Sequence, residues 1–425
     1  MTNKRNDVLI MNTELPKDWK LEKIKSVAEL FRGITYSKEV ASDKPDNSRL
    51  PILRANNINV ELNYDNLVYV PKEIIKKEQF IKKNDIIFAM SSGSKHLVGK
   101  SAVAKKNFNG SYGAFCALLR ANESVNKKYI SYIFQGNAYR KLISEIAKGT
   151  NINNLKREHI LDFEFPLPPL SEQQTIVAKL EEFLSELEKG KEQLHTALDQ
   201  LKVYRQAVLR YAFEGKLTNK NVKEGELPEG WKWVKVLDIS NVVRGGSPRP
   251  AGDLKYYGGK IPFLKVADLT RDGSIFLHSF EYTIKEAGLR KTRQIKPETL
   301  LLTNSGATLG VPKICMIDAT MNDGIAAFLD LDKRSNLYMY YYWTGKTQQL
   351  RNVNQGAAQP NLNTDIIKNC EVPYCSFEEQ ERVVQEIESH LSVADKLEET
   401  ITASLQQSET LRQSILKKAF EGKLV

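Results

Sequence analysis

Residues 166–217 read PLPPLSEQQTIVAKLEEFLSELEKGKEQLHTALDQLKVYRQAVLRYAFEGKL, and residues 373–424 read PYCSFEEQERVVQEIESHLSVADKLEETITASLQQSETLRQSILKKAFEGKL. Shifted by 207, the two align without a gap, 20 of 52 positions are identical, and both end in AFEGKL. A self-match at one fixed period marks a repeat, so the rest of the chain is read in pairs. In the first copy a 4-3-4-3 seam runs Leu180, Leu184, Leu187, Lys191, Leu194, Leu198, Leu201, Arg205, Val208, Ala212. In the second it runs Ile387, Leu391, Ala394, Glu398, Ile401, Leu405, Ser408, Arg412, Ile415, Ala419. This heptad spacing predicts one long helix per copy. Ser171 with Gln174, and Ser376 with Glu379, read as capping boxes at the starts. Gly215 and Gly422 stand where the helices stop. About 43 residues at ~1.5 Å each give a rod of roughly 65 Å. The equivalent polar seam residues Lys191 and Glu398 are expected to meet in an antiparallel pair.

The segments before the rods are diverged copies too. LPKDWKLEKIKSVAELFRGIT (15–35) lines up with LPEGWKWVKVLDISNVVRGGS (227–247), and PILRANNI (51–58) with PFLKVADL (262–269). NDIIFAMSSG (84–93) is set against PETLLLTNSG (297–306), and GTNINNL (149–155) against GAAQPNL (356–362). The organisation is globule (1–165), rod (166–217), polar linker (218–226), globule (227–372) and rod (373–425). Within the globules, β-rich runs at 86–90, 101–104, 115–119, 300–303, 313–317 and 325–331 are bounded by Gly, Asn and Ser turns. Helical stretches follow near 127–134, 138–148, 336–344 and 348–353. The fold class is α+β: two globular α/β domains related by a pseudo-twofold, separated by two long helices forming an antiparallel coiled coil. Trp19, Trp231 and Trp233 are read as core residues.

Charge is divided unevenly. The net of +10 comes from +10 over 1–165, −1 over 166–226, +5 over 227–372 and −4 over 373–425. Basic globules on near-neutral or acidic rods suggest a polyanion partner at two places. The 41% apolar content argues against disorder. Four cysteines without a CxxC pair, five histidines without metal spacing, and no signal peptide or 18-residue apolar span point to a cytoplasmic, reduced chain with no membrane association.

Catalytic motifs fail in turn. GSKHLVGKS (93–101) has five residues between its glycines where the P-loop G-x-x-x-x-G-K-S/T needs four, and it continues as a strand. HExxH, GxSxG, a dinucleotide glycine loop and the Asn/Asp-Pro-Pro-aromatic string of amino-methyltransferases are all missing. The chain reads as non-enzymatic, with no metal site. Recognition remains, carried by turns shared between the halves: Arg32 and Thr35 with Arg244 and Ser247; Arg54 with Lys265; Ser91, Ser94 and Lys95 with Asn304 and Thr308; Lys148, Asn151 and Asn153 with Gln355 and Gln359. Arg, Asn and Gln suit base edges, while Lys and Ser suit phosphates. The competing readings are a coiled-coil scaffold whose two basic domains bind protein, and a nucleic-acid enzyme with an unrecognised site.

The LPxxW strings at 15–19 and 227–231, PLPPLSEQQ at 166–174, FEEQERV at 377–383 and the doubled AFEGKL resemble the specificity subunit of type I restriction–modification enzymes. That resemblance covers nearly the whole chain. It implies that each globule is a target recognition domain reading half of a split double-stranded DNA sequence. It further implies that the helices set the half-site spacing and dock two methyltransferase (modification) subunits, joined by two restriction subunits. AdoMet, ATP and Mg are then expected on those partners, and no cofactor on this chain.

Overall fold

The computed structural model describes residues 15–59, 61–91, 98–149, 154–219, 221–306, 308–353 and 362–425. The chain folds as two compact units, one reaching to Leu194 and resuming at Ala403–Val425, the other His195–Thr402. Both repeats form helices of 44 residues, Leu170–Phe213 and Phe377–Phe420. Each unit therefore contains the head of one long helix and the tail of the other. In the first unit Ile176, Val177 and Leu180 share a core with Leu416 and Ala419. In the second, Val383, Val384 and Ile387 share one with Leu209 and Ala212. These ten residues are buried, and each Val, Leu or Ile among them contributes roughly 1.5–3 kcal/mol by leaving water.

The two units are three-layered. A helical layer packs on a central sheet, and a second sheet covers the opposite face. In the first unit the central sheet runs Ala28–Arg32, Cys116–Ala121, Ile86–Ala89, Ser101–Val103, all antiparallel. The outer sheet is Val68–Pro71, Arg49–Leu53, Ser111–Tyr112. In the second unit the central order is Asn241–Arg244, Ile325–Leu329, Thr299–Thr303, Pro312–Cys315, Phe276–Leu277, with an outer sheet of four strands. Strand period explains the continuous apolar runs. Ile86 and Phe88 face the helices while Ile87 and Ala89 face the outer sheet.

The entry to each long helix rests on one buried glutamine. Gln173 donates to the Pro168 carbonyl (2.8 Å), and its counterpart Gln380 to the Cys375 carbonyl (3.0 Å). Tyr129 and Tyr338 close the same joint by donating to the carbonyls of Pro166 and Pro373. Rings from the helix tails complete it, Phe420 against Tyr129 and Phe213 against Tyr338, both edge-on. The AFEGKL glycines end the helices at φ +74° (Gly215) and +67° (Gly422). A Cβ at Gly215 would sit 2.2 Å from Cγ of Pro228, and one at Gly422 2.3 Å from Cγ of Pro16. The AFEGKL and LPxxW strings thus recur together because they touch.

Several expectations are corrected. Ser171 is not a cap: the first long helix already begins at Leu170, and Gln173 N–H bonds the Pro169 carbonyl. Ser376 does cap, accepting from Glu379 N–H at 3.3 Å, but the Glu379 carboxylate turns to Thr218 (2.6 Å) and Asn219. Lys191 pairs with Glu188 on its own helix, and Arg205 takes both Asp395 (2.6 Å) and Glu398 (2.8 Å). The planar guanidinium of Arg205 gives one terminal nitrogen to each carboxylate, Nη1 to Asp395 and Nη2 to Glu398. Trp19 is buried, but Trp233 is 56% exposed, because its strand Lys232–Lys235 has only Val234 turned inward. The helical stretches at 336–344 and 348–353 are one helix, Asn336–Val353. Gly345 lies inside it, where a Cβ would stand a tight 3.3 Å from Cβ of Leu209.

The pairing of 84–93 with 297–306 is displaced by one residue. Asn84 (φ +71°) corresponds to Glu298 (φ +64°), and Ile86 and Phe88 occupy the helix-facing places of Leu300 and Leu302. A one-residue slip exchanges the faces of a strand, and burial on both faces hides it from the sequence. Met90 is then the counterpart of Asn304, and Ser91 that of Ser305.

Two glycine substitutions test this packing from opposite sides. Gly422→Ala should lower stability by about 2 kcal/mol or more, since the left-handed backbone and the rigid Pro16 ring both oppose a side chain. Gly190→Ala, mid-helix with nothing within 4 Å of its Cβ, should raise stability by about 0.5–1 kcal/mol. Urea unfolding followed by tryptophan fluorescence checks both.

Candidate functional site

Five backbone hydrogen bonds gather separate loops of the first unit into one rim. Gly33 N–H donates to Cys116 C=O (3.1 Å), Ile34 N–H to Tyr112 (2.9 Å) and Gly113 N–H to Leu53 (2.8 Å). Met90 N–H donates to Phe115 (2.8 Å), with Ser91 N–H sharing that carbonyl, and Leu155 N–H donates to Met90 (2.7 Å). The second unit repeats the set: Gly245 to Ile325 (2.9 Å), Gly246 to Met321 (3.1 Å), Asn322 to Leu264 (2.9 Å), Asn304 to Gly324 (2.9 Å) and Leu362 to Asn304 (2.7 Å). Each rim centres on one short tip, 113–116 or 322–325. The close approach demands glycine, because a Cβ on Gly33 would lie 2.0 Å from the Gly113 oxygen, and one on Gly245 2.1 Å from that of Asn322.

The rims bring together Arg32, Thr35, Arg54 and Ser91 in the first unit, and Arg244, Ser247, Lys265 and Asn304 in the second. Arg32, Thr35 and Arg244 are exposed. Arg54 and Lys265 occupy the same turn, their N–H groups bonded by Asn57 (2.9 Å) and Asp268 (2.8 Å). Their side chains are half-buried with intramolecular partners: Arg54 Nη2 donates to the Asn66 carbonyl (2.9 Å), and Lys265 Nζ lies 3.2 Å from the Tyr282 ring centre. Arg244 Nε donates to the Asp323 carbonyl (2.7 Å), and Ser247 Oγ to the Asp323 carboxylate (2.6 Å). That Ser247 bond holds the Asp323 carboxyl below the usual range, with Arg244 and Arg249 adding to it. Asn304 is fully buried, and among the described residues neither side-chain amide atom has a hydrogen-bond partner. Thr308 is half-buried, its carbonyl accepting from Thr303 Oγ1 (2.6 Å). Lys148 lies in the last turn of helix Asn137–Gly149. Ser94, Lys95, Asn151, Asn153, Gln355 and Gln359 fall outside the described residues.

Sequence reasoning missed two basic runs beside the rims. Gln79 donates its amide to the Arg32 carbonyl (2.9 Å), bringing the exposed Lys76 and Lys77 to the first rim. In the second unit the Lys291 carbonyl lies 2.6 Å from where a Gly246 Cβ would stand, bringing up exposed Arg290, Lys291 and Arg293. The strings IIKKEQFIKK and LRKTRQIK carried the signal, which charge counts over whole globules averaged away. Phe115, at the first tip, was also passed over. Among the described residues no group of three or more His, Cys, Asp or Glu is placed to hold a metal ion, and no helix is long and apolar enough to cross a membrane.

The type I restriction modification DNA specificity domain matches the chain twice, over residues 16–195 and 228–407. The chain belongs to that family. Both matches open at the proline of an LPxxW string. The specificity subunit of the type I restriction enzyme StySPI from Salmonella potsdam is 31% identical over 423 residues, covering 97% of this chain and 90% of that relative. The EcoKI specificity subunit from Escherichia coli K12 is 30% identical with the same coverage. Two solved structures share the fold. One, from work on complex assembly and conformational transition of the type I R-M system, has a TM-score of 0.72 at 19% identity, over 96% of this chain and 99% of that one. The other, the HsdS subunit from Thermoanaerobacter tengcongensis, has a TM-score of 0.59 at 19% identity, over 97% and 99%. The chain is therefore a specificity subunit with two DNA specificity domains, of mixed helix and sheet.

If the basic runs lie along phosphates, replacing Arg290, Lys291 and Arg293 together by Gln should flatten the slope of log K against log salt. The expected change is about 0.9 for each phosphate that is no longer neutralised. Affinity should fall on specific and non-specific duplexes alike, as measured by fluorescence anisotropy over a salt series.

Proposed function

We propose that each rim reads one half of a split, asymmetric double-stranded DNA target. The observation that carries this is the repeated set of five backbone bonds, which holds equivalent loops in both units while the displayed side chains differ. Arg32 and Thr35 face the first half-site, and Arg244 and Ser247 the second, where guanidinium and hydroxyl groups can meet base edges or phosphates. Lys265, Arg54 and Ser247 must leave their present partners to donate there, which makes them weaker candidates than the exposed arginines. Asn304 supports the second rim from beneath in the arrangement described.

The long helices carry the spacing between half-sites and the docking of two methyltransferase subunits, which two restriction subunits join. Support for this part comes from the helix length and from the family. AdoMet, ATP and Mg would belong to those partners, and the chain itself would contribute recognition without catalysis. A protein-binding scaffold lacks a comparable observation, because exposed cations rather than apolar side chains dominate the loops beside the rims.

The test is an exchange of residues 1–165 for the matching globule of another family member, with methylated adenines mapped in DNA from cells carrying the partner subunits. One half of the recognised sequence should change while the other stays. A change in both halves, or in neither, would defeat the reading.

A further inference from the structure

Phe115 is 68% exposed, which is costly for an aromatic side chain in water. Its carbonyl accepts from Met90 N–H (2.8 Å) and Ser91 N–H (3.1 Å), so the backbone is fixed while the ring points into solvent. Among the described residues no aromatic ring packs on it. Around it the rim offers polar groups, Arg32, Thr35 and Ser91. We propose that Phe115 is a specificity residue of the first unit, reading a thymine through its C5-methyl group. The proposal rests on the reading of the rims as a surface for duplex DNA.

The chemistry follows from what the major groove displays. Guanine, adenine and cytosine are told apart there by donors and acceptors, which Arg, Ser and Thr can address. Thymine alone adds a methyl group, and an apolar surface gains from covering it, a broad one such as a phenyl ring most of all. The second unit has no equivalent. Its tip carries Gly324, where a Cβ would lie 2.6 Å from Val266 Cγ2 and 2.9 Å from Ser305 Oγ. There the tip presents the Asp323 carboxylate, held by Ser247, in place of a ring. The tip of the second unit thus displays no large apolar side chain.

The experiment uses the full chain and its mapped target duplex. Each thymine is replaced singly by deoxyuridine, which removes only the methyl group, and equilibrium binding is compared for the natural protein and Phe115→Ala. One replacement, in the half-site read by the first unit, should weaken the natural protein about fourfold, the worth of one buried methyl group. Phe115→Ala should bind both duplexes equally, while replacements in the other half-site should affect both proteins alike. Phe115→Leu, which keeps an apolar tip, should retain part of the penalty. Should the Ala variant fail to fold, Phe115→Gln supplies the same comparison. A first half-site without thymine, no deoxyuridine effect on the natural protein, or an equal effect on both proteins overturns the inference. Absence of any duplex binding would instead refute the DNA reading beneath it.

Discussion

A glycine seated against a proline ring fixes the structure at both of its repeated joints. Gly215 meets Pro228 and Gly422 meets Pro16, each at a backbone angle that side-chain-bearing residues avoid. The turn stops the long helix and brings its last apolar residues into a core belonging to the next repeat, or, for the second helix, to the first. Leu209 and Ala212, and likewise Leu416 and Ala419, are buried there. A core leucine costs about 2–5 kcal/mol to remove. Neither globule completes its own core, so the repeat forms units that cut across the sequence copies.

The rims apply the same economy to recognition. Their geometry is held by N–H and C=O groups and by glycines at points of close approach, so it does not depend on which side chains are displayed. Position 115 can be phenylalanine while its counterpart is Gly324, and position 114 alanine while its counterpart is Asp323, with the five bonds unchanged. A specificity subunit with two unlike half-sites needs this separation of framework from display. Buried Asn57 and Asp268 illustrate the framework side: both bond the N–H group three residues earlier and hold their turns alike.

Much of this was legible in the sequence, and the gaps have physical causes. Heptad spacing reveals both long helices because a single apolar face repeats over many turns. The doubled strings reveal the pairing of units because their side chains touch. Strand register was not legible, because Ile86–Ala89 and Thr299–Thr303 are buried on both faces and carry no alternation. The cap at Ser171 failed because Pro169 and Leu170 already start the helix. The convergence of 32–35, 54–57, 91 and 113–116 on one rim was hidden because backbone bonds between distant loops leave no side-chain pattern. Asn304 looked like a contact residue as part of a polar turn, and only burial separates it from its half-buried neighbours Ser305 and Thr308.

The two seam arginines show how far the repeat constrains the chain. Arg205 and Arg412 hold equivalent seam positions, yet Arg205 bridges Asp395 and Glu398, whereas Arg412 donates to the side chain of Gln135 (2.5 Å). The first unit breaks its helical layer there, between Lys127–Ile133 and Asn137–Gly149, and Gln135 turns to the long helix. In the second unit the same place is inside the continuous helix Asn336–Val353, and Gly345 lets Leu209 pack against it. Beside the break lies a cavity of about 950 Å³, walled by Ile133, Phe165 and Phe420. Seam position fixes that an arginine stands at each site, but the neighbouring helix decides what it holds. Divergence has therefore reached the supports of the two units as well as their rims, stopping at the glycine–proline joints and the five-bond frame, where a side chain has no room.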